Sequence, residues 1–158
     1  MKIGSTLFLK IALFIMGIPV VVLGGVGIVY LINNPANAQY AHILYPIVIA
    51  LYLSVIPYLV ALYQSFRLLT LIDYNNAFSQ MSVNALKVIK FCALTFSGIY
   101  VIVIPFVYFL AQIEDAPGLI IMGMVPIFAS LVISVFAAVL QRLLQEAINI
   151  KSENDLTV

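Results

Sequence analysis

The chain has 158 residues, 65% hydrophobic and 8% charged, with a mean hydropathy of +1.19, far from the roughly 45–50% apolar and 25% charged of soluble domains. A soluble domain of about 150 residues hides only some 68–70% of its unfolded surface, so the surplus apolar area needs lipid as its solvent. One cysteine, Cys92, and one histidine, His42, exclude intramolecular disulfides, CxxC redox chemistry and cysteine-rich metal centres, while a net charge of +1 by itself points to no partner.

Four stretches carry no charge and reach the roughly 20 residues needed to cross about 30 Å of hydrocarbon as helix: 11–32, 43–63, 91–110 and 119–140. A barrel strand would be about 10 residues of alternating polarity, so these continuous runs predict helices. The first holds fourteen Leu, Ile, Val or Phe, at most about −4 to −8 kcal/mol toward insertion, of which Pro19 and the glycines take back part. Gly17 and Gly24 share a face, with Gly25 and Gly27 beside it, which predicts a close helix crossing. They are no phosphate loop, having no accompanying lysine. Lys2 and Lys10 precede the run, and Ala36, Asn37 and Ala38 after it have the form of a signal cleavage site. Its 22 residues nevertheless exceed the roughly 7–15 of a signal core, so an uncleaved span is expected, with Pro35 ending it and 33–42 as a short outer loop.

The second run contains Pro46 and Pro57 and sets Tyr45, Tyr52 and Tyr63 within about 20° of one another on a helix. With no tryptophan and nine tyrosines, tyrosine must supply the interfacial aromatic belt. Tyr52 lies deeper and should find a partner inside the bundle. Residues 64–90 form the longest extramembrane stretch. Leu68, Leu69, Leu71 and Ile72 prolong the second helix, Asn75 and Asn76 offer a turn, and Ser79 or Ser82 caps a new helix bearing Val83, Leu86 and Ile89 on one face.

The third run, with Pro105, places Ser97, Tyr100 and Tyr108 within about 80°. Glu114 and Asp115, before Pro117 and Gly118, read as solvated turn residues. The fourth run, with Pro126, carries a stripe of Gly123, Ser130, Ser134, Ala137 and Gln141 within about 60°. Close packing is the plain reading, and a lining for a polar ligand the alternative. Prolines within spans predict kinks, except Pro46 in a first turn. Residues 141–150 prolong the fourth helix, and 151–158 read as frayed.

All seven basic residues fall on one side of four spans: Lys2, Lys10, Arg67, Lys87, Lys90, Arg142 and Lys151. The other side has only Glu114, Asp115 and His42. By the positive-inside rule both termini and the middle loop are expected in the cytoplasm. No ionisable side chain other than Tyr and Cys92 lies within a run, which argues against a proton-coupled transporter and against the small multidrug exporters, which need a membrane carboxylate. The four-helix disulfide-forming oxidases need cysteine pairs. No Ser, Cys or His arrangement supports nucleophilic catalysis.

Four spans, a loop with Leu68 and Leu69, then Ala77, Phe78 and Ser79, then Val83, Leu86 and Ile89 running into the third span, together resemble the bacterial membrane protein family DUF2975. That resemblance implies no known activity. It implies a membrane component of a regulatory pair, because genes of the family often neighbour a small helix-turn-helix regulator, and it makes Phe78 and Ser79 a turn-and-cap motif in which Ser79 accepts an amide hydrogen bond and Phe78 anchors the loop.

The expectation is therefore an all-α, four-helix transmembrane bundle in one domain, 1–158, in a bacterial cytoplasmic membrane, with helical extensions into the cytoplasm. No catalytic residue, metal or cofactor and no direct nucleic-acid contact is expected. The bilayer, a cytoplasmic regulatory protein and a second copy of the chain are the expected partners. The functional expectation is a non-enzymatic accessory or sensor component. The alternative is a binder or carrier of a lipid or apolar small molecule in a cavity among Tyr52, Ser97, Tyr100, Ser130 and Ser134.

Overall fold

The computed structural model describes residues 2–35 and 41–156, so the cleavage-like Ala36, Asn37 and Ala38 lie outside the described residues. It consists of four helices: α1 (Lys2–Asn33), α2 (Ala41–Asp73), α3 (Gln80–Ile113) and α4 (Gly118–Leu156). Each contains one apolar run and is long and apolar enough to span a membrane. The 39 residues of α4 extend about 58 Å at 1.5 Å per residue, nearly twice a hydrocarbon core of about 30 Å. Each helix continues unbroken through its prolines.

Successive helices are antiparallel. Met16, Phe14 and Lys10, descending α1, meet Tyr58, Phe66 and Asp73, ascending α2. Ser54 and Tyr58 on α2 meet Tyr100 and Phe96 on α3, and Gly123 on α4 faces Ile104 and Val107 on α3. This alternation gathers Lys10, Arg67, Lys87, Lys90, Arg142 and Lys151 at one end, the basic end, where the apolar runs stop and the helices continue.

The helices form a row. α1 packs on α2, α2 on α3 and α3 on α4, and among the described residues no other pair of helices brings Cα atoms within 8 Å. Lipid is as apolar as leucine, so helix contact depends on close backbone approach and hydrogen bonds. The α3–α4 contact shows the first of these. Ser82, Ala85, Ala93 and Ser97 on α3 are buried, as are Ser130, Ser134 and Ala137 on α4, and a Cβ at Gly123 would stand 3.2 Å from Ile104 Cδ1. The stripe read on the fourth helix is thus its packing face. None of the apolar stretch of α1 is buried within the protein, so α1 is the least buried of the four helices.

Both α2 and α3 end in a paired-bond C-cap built without glycine. Asn75 takes φ 58° and Asp115 φ 51°. The Asn76 amide donates to Leu71 O and the Asn75 amide to Ile72 O; the Ala116 amide donates to Ala111 O and the Asp115 amide to Gln112 O. These bonds satisfy the last carbonyls of each helix. Asn75 thereby makes the expected turn, and Glu114 and Asp115 are exposed turn residues.

Candidate functional site

Glycine sets how closely α1 and α2 approach. A Cβ at Gly17 would lie 3.3 Å from Leu62 Cδ1, and one at Gly24 3.6 Å from the Tyr52 ring. The expected glycine crossing is therefore present, with Gly27 also part of it. Into the space they leave, Tyr52 Oη donates to Gly24 O at 2.8 Å. One turn or more toward the basic end, Tyr58 Oη donates to Met16 O at 2.9 Å. Side-chain hydroxyls of α2 thus hold main-chain carbonyls of α1, a contact whose strength grows where water is absent.

On the other side of α2, Ser54 Oγ donates to Leu51 O at 2.6 Å and lies 3.3 Å from Tyr100 Oη. With the serine proton committed to Leu51, Tyr100 is the donor of that second bond. The Tyr100 ring stacks obliquely on Phe96, centroids 4.7 Å apart. Among the described residues no Cα of α1 comes within 8 Å of one on α3, and Tyr52, Ser54, Tyr58 and Tyr100 line a cleft of about 650 Å³ bordered by α1, α2 and α3. Its remaining surface is aliphatic, glycine and aromatic.

The five hydroxyls expected to share one cavity do not converge. Tyr52 and Tyr100 line this cleft. Ser130 borders a smaller recess of about 280 Å³ across α2, α3 and α4, beside Pro57, Cys92 and Pro126, and donates to the carbonyls of Pro126 and Ile127. Ser97 and Ser134 are buried and line neither. The reason is the row arrangement: Tyr52 on α2 bonds to α1, which packs on α2, whereas Ser130 and Ser134 lie on α4, which packs on α3.

At the basic end the structure contains a clasp that residue-by-residue reading missed. Lys10 Nζ donates to Asp73 Oδ2 at 2.8 Å, Thr6 Oγ1 donates to the other carboxylate oxygen, and Lys10 lies over the Phe66 ring, 5.1 Å from its centroid. Asp73 lies ten residues beyond the second apolar run, outside the membrane-spanning part. The Lys10 ammonium first, then the Thr6 hydroxyl, hold its carboxyl below the usual carboxylate range, against the opposing pull of desolvation. A signal was present: Asp73 is the one acidic residue in 64–90, on the side where all the basic charge collects.

Phe78 and Ser79 require a correction. Ser79 is the N-cap of α3 in extended conformation, but its side chain makes no capping bond. Its hydroxyl donates instead to Asn76 O at 2.7 Å, and its carbonyl accepts from the amides of Ser82 and Val83. The tight return after Asn75 presents the Asn76 carbonyl to Ser79, and that acceptor wins the hydroxyl. Phe78 is 61% exposed and stands on the rim of a recess of about 460 Å³ with Leu68, Ile72, Leu86, Leu143 and Leu144.

Residues 30–158 match the family of proteins of unknown function DUF2975. The chain is 54% identical over 160 residues to the uncharacterized membrane protein YoaS of Bacillus subtilis (strain 168), covering 98% of each chain. No solved structure matches.

Proposed function

The chain belongs to the DUF2975 family, and from that premise we propose that it is a non-enzymatic accessory or sensor protein of the bacterial cytoplasmic membrane, working through its cytoplasmic face with a soluble regulatory partner. The observation that carries this reading is the apolar recess around Phe78, Leu143 and Leu144 at the basic end. Within lipid an exposed leucine has no cost. Beyond the basic residues the medium is water, where exposed apolar area costs about 25 cal/mol per Å² and marks interaction surfaces. The one-sided basic charge supports placing this end, with both termini, in the cytoplasm.

Two measurements test the proposal. Thiol labelling of Lys87→Cys and Glu114→Cys, in a Cys92→Ala background, is expected to place residue 87 inside and 114 outside. Affinity purification from the native host is expected to recover a soluble regulator that Phe78→Ser with Leu143→Ser releases. An unchanged set of recovered proteins would sink the docking reading, and residues 87 and 114 in one compartment would sink the topology.

A second reading, a binder or carrier of a lipid or apolar small molecule, is supported by the cleft of Tyr52, Tyr58 and Tyr100. It predicts a retained apolar ligand in native mass spectra from mild detergent, lost on Tyr100→Ala. Spectra showing bare protein under conditions that preserve the fold would remove it.

A further inference from the structure

At the basic ends of the third and fourth apolar runs, α4 and Lys90 of α3 border an open recess of about 470 Å³ lined by Lys90, Ala138, Gln141, Arg142, Gln145 and Glu146. Its composition differs from that of every other recess described above, since five of the six side chains are polar or charged. Lys90 immediately precedes the run 91–110 and Arg142 follows 119–140 by two residues, so both cations sit at the membrane boundary.

Lys90 is half-buried, yet among the described residues its ammonium has no carboxylate within 4.0 Å. Its contact is the Phe91 ring, 4.8 Å from the centroid, which holds the stem at the boundary without neutralising the charge. A cation held at the membrane boundary with no carboxylate beside it is free to pair with the anionic group of a lipid. Across the recess Arg142 is 85% exposed and meets Glu146 only at 3.8 Å, too long for a strong charge-assisted hydrogen bond. Its guanidinium donors therefore remain available. Gln141 and Gln145, one turn apart, add amide donors, and Gln145 spends one on Asn149 Oδ1 at 3.3 Å. Lys90 and Arg142 against Glu146 leave a local charge of +1, which suits a singly charged phosphodiester.

We infer that this recess is a phosphate-anion site, formed by Lys90 with Arg142, Gln141 and Gln145, that takes the phosphodiester headgroup of an anionic phospholipid. Basic recesses between helices at a membrane boundary meet such headgroups at their natural depth. The inference needs only the membrane-spanning fold and does not rest on partner docking at Phe78.

The test uses the full chain in mild detergent, titrated separately with phosphatidylglycerol and phosphatidylcholine and read by native mass spectrometry, with a parallel thermal melt in inorganic phosphate. The expected result is one phosphatidylglycerol retained where phosphatidylcholine is not, with retention falling roughly fivefold for each of Lys90→Met and Arg142→Gln. Lys151→Met, which removes the same charge far from the recess, should leave retention unchanged. Stabilisation by inorganic phosphate that Lys90→Met abolishes, without lipid discrimination, would uphold the anion site and identify a free anion as its source. Equal retention of both lipids with no phosphate effect overturns the inference, as does equal loss in Lys151→Met and Lys90→Met. Arg142 is so exposed that Arg142→Gln keeps the test decisive if Lys90→Met fails to fold.

Discussion

The Tyr52 hydroxyl stands 2.7 Å from where a Cβ on residue 27 would lie, while donating its proton to Gly24 O. The same side chain thus both requires the glycine and fastens α1.

Gly27→Ala must push that hydroxyl off its acceptor, leaving a tyrosine O–H in an apolar cleft. A loss of about 1–3 kcal/mol is expected from overpacking and the broken bond. Tyr52→Phe removes the bond without the clash and should cost about 1 kcal/mol. Reversible detergent denaturation of the two variants checks the order. Gly25→Ala, whose Cβ would meet nothing within 4 Å, is the reference: it carries the helix-propensity gain of about 0.5–1 kcal/mol without a clash.

The clasp between Lys10 and Asp73 predicts a pH dependence. The Asp73 carboxyl is held below its ordinary value of 3.8 by Lys10 and Thr6. A group whose folded pKa is depressed contributes stability that is fully present above its unfolded pKa and lost as pH falls through the folded value. Asp73→Asn should therefore lower the melting temperature at about pH 6, and the gap to the unmodified protein should close well below about pH 4. A gap independent of pH would show that the carboxylate charge is not what holds α1.

The C-caps predict opposite responses at two similar positions. Asp115 is left-handed, at φ 51°, and places a negative charge at the carbonyl end of α3, where the helix dipole disfavours it. Asp115→Gly should relieve both effects and stabilise by about 0.5–1 kcal/mol. Asn75, at φ 58°, is already a tolerated left-handed residue, and Asn75→Val should destabilise by about 1–2 kcal/mol. Thermal melts in one detergent separate the two.

Volume added at the α3–α4 seam should be far more damaging than volume removed from the lipid face. Ala137 is 4% exposed and Ile102 71%. Ala137→Leu forces the helices apart, at about 1–3 kcal/mol or more, whereas Ile102→Ala exchanges one lipid contact for another and should change folded-state stability by less than about 0.5 kcal/mol.

Some of this packing was legible residue by residue. Gly17 and Gly24 marked the face of α1 that meets α2, and Gly123, Ser130, Ser134 and Ala137 marked the face of α4 that meets α3, because only small side chains admit a neighbouring backbone. The hydroxyl partners were not legible. Tyr58 reaches Met16 O and Ser79 turns to Asn76 O, each choosing among carbonyls that are equivalent on paper and differ only in where the fold places them.

The amino-acid order alone determined the medium, the number of helices and the end at which basic charge gathers, since these follow from the length of uncharged apolar runs and the parity of the segments between them. Only the tertiary structure decided that the helices form a row with α1 and α4 at its ends, and that Lys10 closes on Asp73, 63 positions away. The physical reason is that lipid solvates every apolar face of a helix equally well. Hydrophobicity thus selects the spans but not their neighbours, and that choice falls to close contacts and hydrogen bonds formed at long range.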